Sequence, residues 1–280
     1  MRETFEFRVP GDHAEQYLPP DCGKDLGEGT VRKVMLDSRD PLVAEIARLE
    51  KQFIANGSAF FLGWNIFRHY SRLELESAEL FAVQPNRVFE AAGEEYGTVY
   101  DDSKACPECG AGAVQTTPLF LHGGRIPRKV NFARTIAQEM VATSLVVDIF
   151  RENGLRGAEF EPVRLSNKRG IASKDHFQLN IVGPRVELDV TRTQLGSQTF
   201  DESGYGRCSQ GHVAGLARLS EVTVLRQSVP AADIMATKQM VGVRRGLLRP
   251  RPIVLLSPKA WKAIEAAKLG GLRIEVAHLV

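Results

Sequence analysis

The chain has little cysteine, little net charge and no long apolar run, and each shortage excludes something. Four cysteines in 280 residues are too few and too unevenly grouped for a disulfide scaffold. Cys106 and Cys109 are too close to cross-link usefully to each other, and no export signal accompanies them. A reducing cytoplasm is the expected setting. A formal net charge of +2 gives no field strong enough to drive the chain onto nucleic acid or anionic lipid. No stretch is apolar for long enough to span a bilayer, which argues against a membrane role. Met1 to Arg8 alternates polar and apolar residues and lacks a signal peptide's apolar centre, so it predicts a strand. A Walker loop and a dinucleotide fingerprint are also missing. Ser166, Ser173 and Ser257 lack the setting of a nucleophile elbow.

What is there is the make-up of an ordinary globular protein, 43% apolar and 25% charged, long enough for one large core or two smaller ones. Asp40-Pro41 opens a helix, with Asp as N-cap and proline where no N–H is needed. Leu42, Ile46, Leu49 and Phe53 form its stripe, and Asn56-Gly57 stops it. Ala59 to Trp64 reads as a buried strand, and Leu73 to Val83 as extended. Residues 97–124 are dense in glycine, aspartate and proline and predict an irregular module. A second long helix is expected from Asn131 to Asn153, with Phe132, Ile136, Met140 and Val147 along one side. Gln178 to Val182 and Val186 to Val190, joined by Gly183-Pro184, predict a hairpin. A last helix begins at Ser257-Pro258 and ends at Gly270-Gly271, and Leu272 to Val280 predicts a strand. The class is α+β, with mixed helices and antiparallel strands. Three regions are expected: 1–96, an α+β region; 97–230, a zinc-ribbon-like module with the long helix and hairpin inserted; and 231–280, an α+β region packed on the rest.

The most specific pattern is Cys106-Pro107-Glu108-Cys109-Gly110. Two thiols on one tight turn form half of a tetrahedral metal clasp, and Gly110 supplies the freedom at positive φ that the turn needs. Backbone N–H groups of such a turn point at the sulfurs and keep them ionised. The matching half is Cys208 with His212, flanked by Gly206 and Gly211. Four protein ligands leave no open position for water, so the expected ion is a structural zinc. The halves lie nearly a hundred residues apart in the chain, so the clasp requires two glycine-rich loops to meet in space.

Other residues carry weaker signals. Arg244, Arg245, Arg249 and Arg251 could serve a partner, since guanidinium forks suit phosphate or carboxylate. No aromatic platform lies among them, which counts against nucleic acid, and ion pairs with an acidic segment are the plainer expectation. Glu187 and Asp189 share one strand face, more in keeping with a solvated edge than an acid–base pair. His278 is expected as a hydrogen-bonded core residue, His122 as a substitute ligand should His212 fail, and Cys22 as a bystander.

Gly97-Thr98-Val99-Tyr100-Asp101, the cysteine turn, Gly154-Leu155-Arg156-Gly157-Ala158-Glu159-Phe160 and Cys208 to His212 occur in an order that resembles a diffuse group of bacterial CxxCG zinc-ribbon proteins. More loosely, the order is similar to the double-CXXCG immunity proteins of polymorphic toxin systems. The resemblance covers about 97–215, and here the second element is Cys-x-x-x-His in place of a second Cys-x-x-Cys-Gly. It implies a cytoplasmic antidote protein that blocks a cognate toxin and has no activity of its own. A zinc-ribbon protein that binds nucleic acid or has a regulatory role is the alternative.

Overall fold

The computed structural model describes residues 1–90, 92–196, 200, 207–212 and 217–280. Helices and mostly antiparallel sheets coexist, as the α+β expectation has it, and the chain divides into two units, Met1–Leu75 and Glu76–Val280.

In the first unit, β1 (Arg2–Pro10) runs into α1 (Gly11–Tyr17), followed by β2 (Lys24–Leu26), β3 (Val31–Asp37), α2 (Pro41–Ala55) and β4 (Gly63–His69). The strands form one antiparallel sheet in the order β2-β3-β1-β4. The α2 boundaries follow the local chemistry: Asp40 accepts the N–H of Leu42 at 2.9 Å, and Pro41 takes the first turn. Its buried face is Val43, Ile46, Leu49 and Glu50. Residues 59–62 are not a strand. Phe60 and Phe61 are buried as expected, but as loop side chains, with Phe53 5.4 Å from Phe60 and Phe7 5.3 Å from Phe61 between ring centres. The buried carboxylate of Glu50 accepts the N–H of Phe60 at 2.8 Å, which satisfies backbone that a sheet neighbour would otherwise serve.

A short helix, α3 (Arg72–Ser77), occupies part of the stretch expected to be extended, and β5 (Leu80–Pro85) takes the rest. The second unit continues with β6 (Val88–Phe89), β7 (Tyr100–Asp101), β8 (Val114–Gln115) and β9 (Phe120–Leu121). Next come β10 (Phe132–Thr135), β11 (Met140–Thr143), α4 (Ser144–Glu152), β12 (Ala158–Leu165) and β13 (Ile171–Ile181). Then follow β14 (Leu195–Gly196), β15 (Ala217–Arg218), β16 (Val222–Val224), β17 (Ile234–Val241), β18 (Arg251–Leu256), α5 (Pro258–Ala266) and β19 (Leu272–Leu279). Two larger sheets result, β16-β19-β5-β18-β17 and β6-β10-β11-β13-β12-β9. The first of these has β5 at its centre.

Two expectations fail in instructive ways. The long helix of 131–153 is a β-hairpin, β10–β11, followed by a helix of only two and a half turns. Gln138 adopts φ 72°, and the N–H of Thr135 bonds to the carbonyl of Glu139, closing the turn. Nor do Gln178–Val182 and Val186–Val190 pair. β13 lies between β11 and β12, whereas Val186 and Leu188 make single bridges to Thr237 and Val224.

The last helix and strand fall where expected. Ser257 accepts the N–H of Ala260, and Trp261 stacks on Phe81 of β5 at 4.9 Å. On the opposite face of that sheet the core comprises Leu80, Ala82, Met235, Ile253 and Leu255 with Val186 and Leu188. Where the loop before β12 crosses β17, Gly157 has the Ile234 carbonyl 2.0 Å from where a Cβ would lie, so only glycine permits the approach. Among the described residues no helix is long and apolar enough to cross a membrane.

Candidate metal centre

β7 and β8 pair antiparallel and carry the cysteine turn at their far end. The turn is closed by the Cys106 N–H donating to the Ala111 carbonyl at 2.7 Å and the Gly110 N–H donating to the Cys106 carbonyl at 2.8 Å. Gly110 lies at φ 77°. The second loop repeats the device: the Cys208 N–H donates to the His212 carbonyl at 2.9 Å and the Gly211 N–H to the Cys208 carbonyl at 2.8 Å. A carboxylate latches the two loops together. Glu108, between the paired cysteines, accepts both the N–H and the hydroxyl of Ser209, at 2.8 and 2.5 Å.

The result brings Cys106, Cys109, Cys208 and His212 together, with all four ligand atoms within 4.8 Å of one another. The Cys106 and Cys208 sulfurs are 4.0 Å apart. His212 Nδ1 lies 3.6 Å from the Cys208 sulfur and 3.8 Å from that of Cys109. The three thiols are buried and His212 is exposed. Hydrogen bonds from the backbone of Cys109 and Glu108 hold the Cys106 thiol down at about 6. Burial, with the neighbouring thiols, pushes Cys109 up to about 11. A cluster of three thiols and an imidazole at this spacing can hold one metal ion, and its turn N–H groups favour thiolate.

A third element, which the sequence did not announce, completes the setting. The end of β17 and its connection to β18 fold over the cysteine turn, with Met240 of the strand and Val243 of the connection packed on the thiols and the Arg244 N–H donating to the Cys109 carbonyl at 2.8 Å. A Cβ on Gly110 would lie 2.6 Å from that of Arg244. Gly110 is thus required twice, for its dihedral and for this contact.

The arginines serve this packing. Arg249, 2% exposed, pairs with Glu94 and Asp102, each at 2.8 Å, with its guanidinium 4.0 Å from the centre of the Tyr100 ring. Arg244 also pairs with Asp102. Arg251 donates to the Tyr100 hydroxyl at 2.8 Å, and that hydroxyl donates to Glu139 at 3.0 Å. Glu139 in turn accepts from Gly93 and Thr135. The hydrogen bond from Arg249 is the main reason the Asp102 carboxyl lies below its ordinary range, and burial raises the Tyr100 phenol. Arg245 is exposed, and among the described residues no carboxylate pairs with it. The four therefore do not form one free basic face.

The remaining candidates are dispersed. Glu187 pairs with Lys238 at 3.0 Å, and Asp189 caps a turn by accepting from Thr191 and Arg192. His278 is not in the core; it is exposed and bonded to Glu221 at 2.9 Å. His122 accepts the N–H of Gly124 and is outside the cluster, as is Cys22, a half-buried residue of the first unit. The latch of Glu108 on Ser209 leaves one trace in the sequence, a carboxylate set between two ligands. No protein-family model matches the chain, and no curated protein matches it.

Proposed function

We propose that the cluster binds a single structural zinc ion and that the protein works in the cytoplasm by binding a protein partner, as an immunity-type antidote. The observation that carries the zinc reading is the complete four-ligand set within 4.8 Å. Zn–S bonds of about 2.3 Å and a Zn–N bond of about 2.0 Å at tetrahedral angles separate sulfurs by about 3.8 Å and sulfur from nitrogen by about 3.5 Å. Three of the separations, 4.0, 3.6 and 3.8 Å, lie close to those values, and the rest are within 4.8 Å. Three thiolates with one imidazole suit zinc over harder ions. With four protein ligands no position is left for a reacting water, so the ion's work is to fasten the two loops to each other.

The antidote reading rests on the resemblance over 97–215. It is supported by the side chains best suited to acid–base chemistry, Glu187, Asp189 and His278, each being held in a local bond. The test is co-expression with the toxin encoded beside the gene. Protection of the cells, with a complex that co-elutes on gel filtration, is the expected result. A toxin that kills equally in its presence and does not associate would remove the reading.

A further inference from the structure

Beside the metal cluster lies an open groove of about 850 Å³, within the range of about 300–1,000 Å³ typical of ligand pockets. Its described lining holds Lys104, Arg207 and Lys238 and no carboxylate. Gln210 adds an amide group of the kind that bonds to peptide backbone, the Gln239 oxygen already accepts the Leu188 N–H at 3.0 Å, and Met240 contributes apolar surface. No Phe, Tyr or Trp is among the described lining residues, so stacking platforms for bases are missing there. Lys104 and Arg207 are exposed, and Lys238 shares its charge with Glu187.

His212 lines the same groove. Its Nδ1 faces the sulfurs of Cys109 and Cys208, so ring geometry directs Nε2 away from the cluster. A histidine ligated through one nitrogen donates the other N–H, most often to a carboxylate or a carbonyl. Among the described residues no carboxylate takes that place.

We propose that the groove receives an acidic segment of a protein partner, one of whose carboxylates accepts the His212 Nε2–H while others pair with Lys104 and Lys238. This deepens the binding role proposed above and names the chemistry of the partner's contact. The ion would then contribute to recognition by fixing which nitrogen of His212 carries the proton.

The probe is a fluorescein-labelled decapeptide of alternating aspartate and leucine, titrated by anisotropy with the zinc-loaded full chain at low salt. An oligo(dT) decamer and an alternating Lys-Leu peptide run in parallel. The acidic peptide is expected to bind below 1 mM by order of magnitude, and K104E/K238E to weaken it at least tenfold. K262E, on the exposed side of α5, should leave it within twofold. H212C retains a four-ligand site but loses the ring N–H. It should keep its zinc and bind several-fold more weakly. Zinc content and circular dichroism confirm that each variant is folded. Absent binding, unchanged binding in K104E/K238E, or tighter binding of the oligonucleotide than of the acidic peptide would overturn the proposal. The peptide assay involves no toxin, so a failed protection experiment with intact peptide binding would strike the antidote reading alone.

Discussion

Gly110 and Arg249 show how much of this site depends on single positions. Alanine at 110 would have to adopt φ 77° and bring its methyl against Arg244. A cost of about 1–3 kcal/mol is expected, measured as a lower Tm of the metal-loaded protein, with faster release of the ion to a chelator. Arg249 is the buried half of a pair whose carboxylates reach water, so those groups can rehydrate when it is removed. R249M is therefore expected to cost about 1–3 kcal/mol, below the full penalty for orphaning a buried charge. R249K should recover less than half, because lysine lacks the planar fork that spans Glu94 and Asp102. The pH dependence has a definite sign. The folded Asp102 carboxyl lies below its ordinary value, so its stabilisation is complete above about pH 3.9, the unfolded value. It is lost as pH falls through the lower folded value. R249M lacks this contribution, so its Tm deficit against wild type should be full above about pH 3.9 and narrow as pH falls below that value; a deficit that stays constant on acidification would mean the charge of Asp102 does not stabilise the fold.

The four ligands were legible at this scale because a cysteine pair two apart and a Cys-x-x-x-His loop are local patterns. The Arg244 contact was not, since a backbone N–H meeting a carbonyl leaves no trace in residue type.

At the level of elements, legibility followed whether the signal was a cap or a period. The helices at 41–55 and 258–266 carry their own start signals in Asp40-Pro41 and Ser257-Pro258, and both formed. Residues 131–143 carry only an apolar period. Phe132, Ala133, Val141 and Ala142 are all buried, in strands with neighbours on either side, so strict alternation disappears and the run imitates a helix. A substitution series at the turn separates the two structures. In a hairpin with Gln138 at φ 72°, Q138G should be neutral or stabilising by under about 1 kcal/mol, and Q138V should cost about 1–2 kcal/mol. A helix would reverse that order, with glycine the worse of the two. Trp261 offers a second check at this scale. W261A removes the ring stacked on Phe81 beneath α5, and a loss of about 3–5 kcal/mol is expected in denaturant unfolding.

For the molecule as a whole, a bound ion would join two segments that the chain keeps far apart, the turn between β7 and β8 and the Cys208 loop, with the β17–β18 connection packed on the first through the Arg244 N–H. Such a site couples metal binding to folding, since its ligands converge only in the folded unit. All of these segments lie in residues 76–280, so the effect of metal removal should concentrate in that unit. The measurement that tests the central claim most directly is the metal content of the purified protein, joined to X-ray absorption at the zinc edge. One zinc per chain is predicted, with three sulfurs at about 2.3 Å and one nitrogen at about 2.0 Å, and with the zinc lost in both C106S and C208S. A metal-free protein of unchanged stability, or a bound ion retained at full occupancy in C208S, would contradict it.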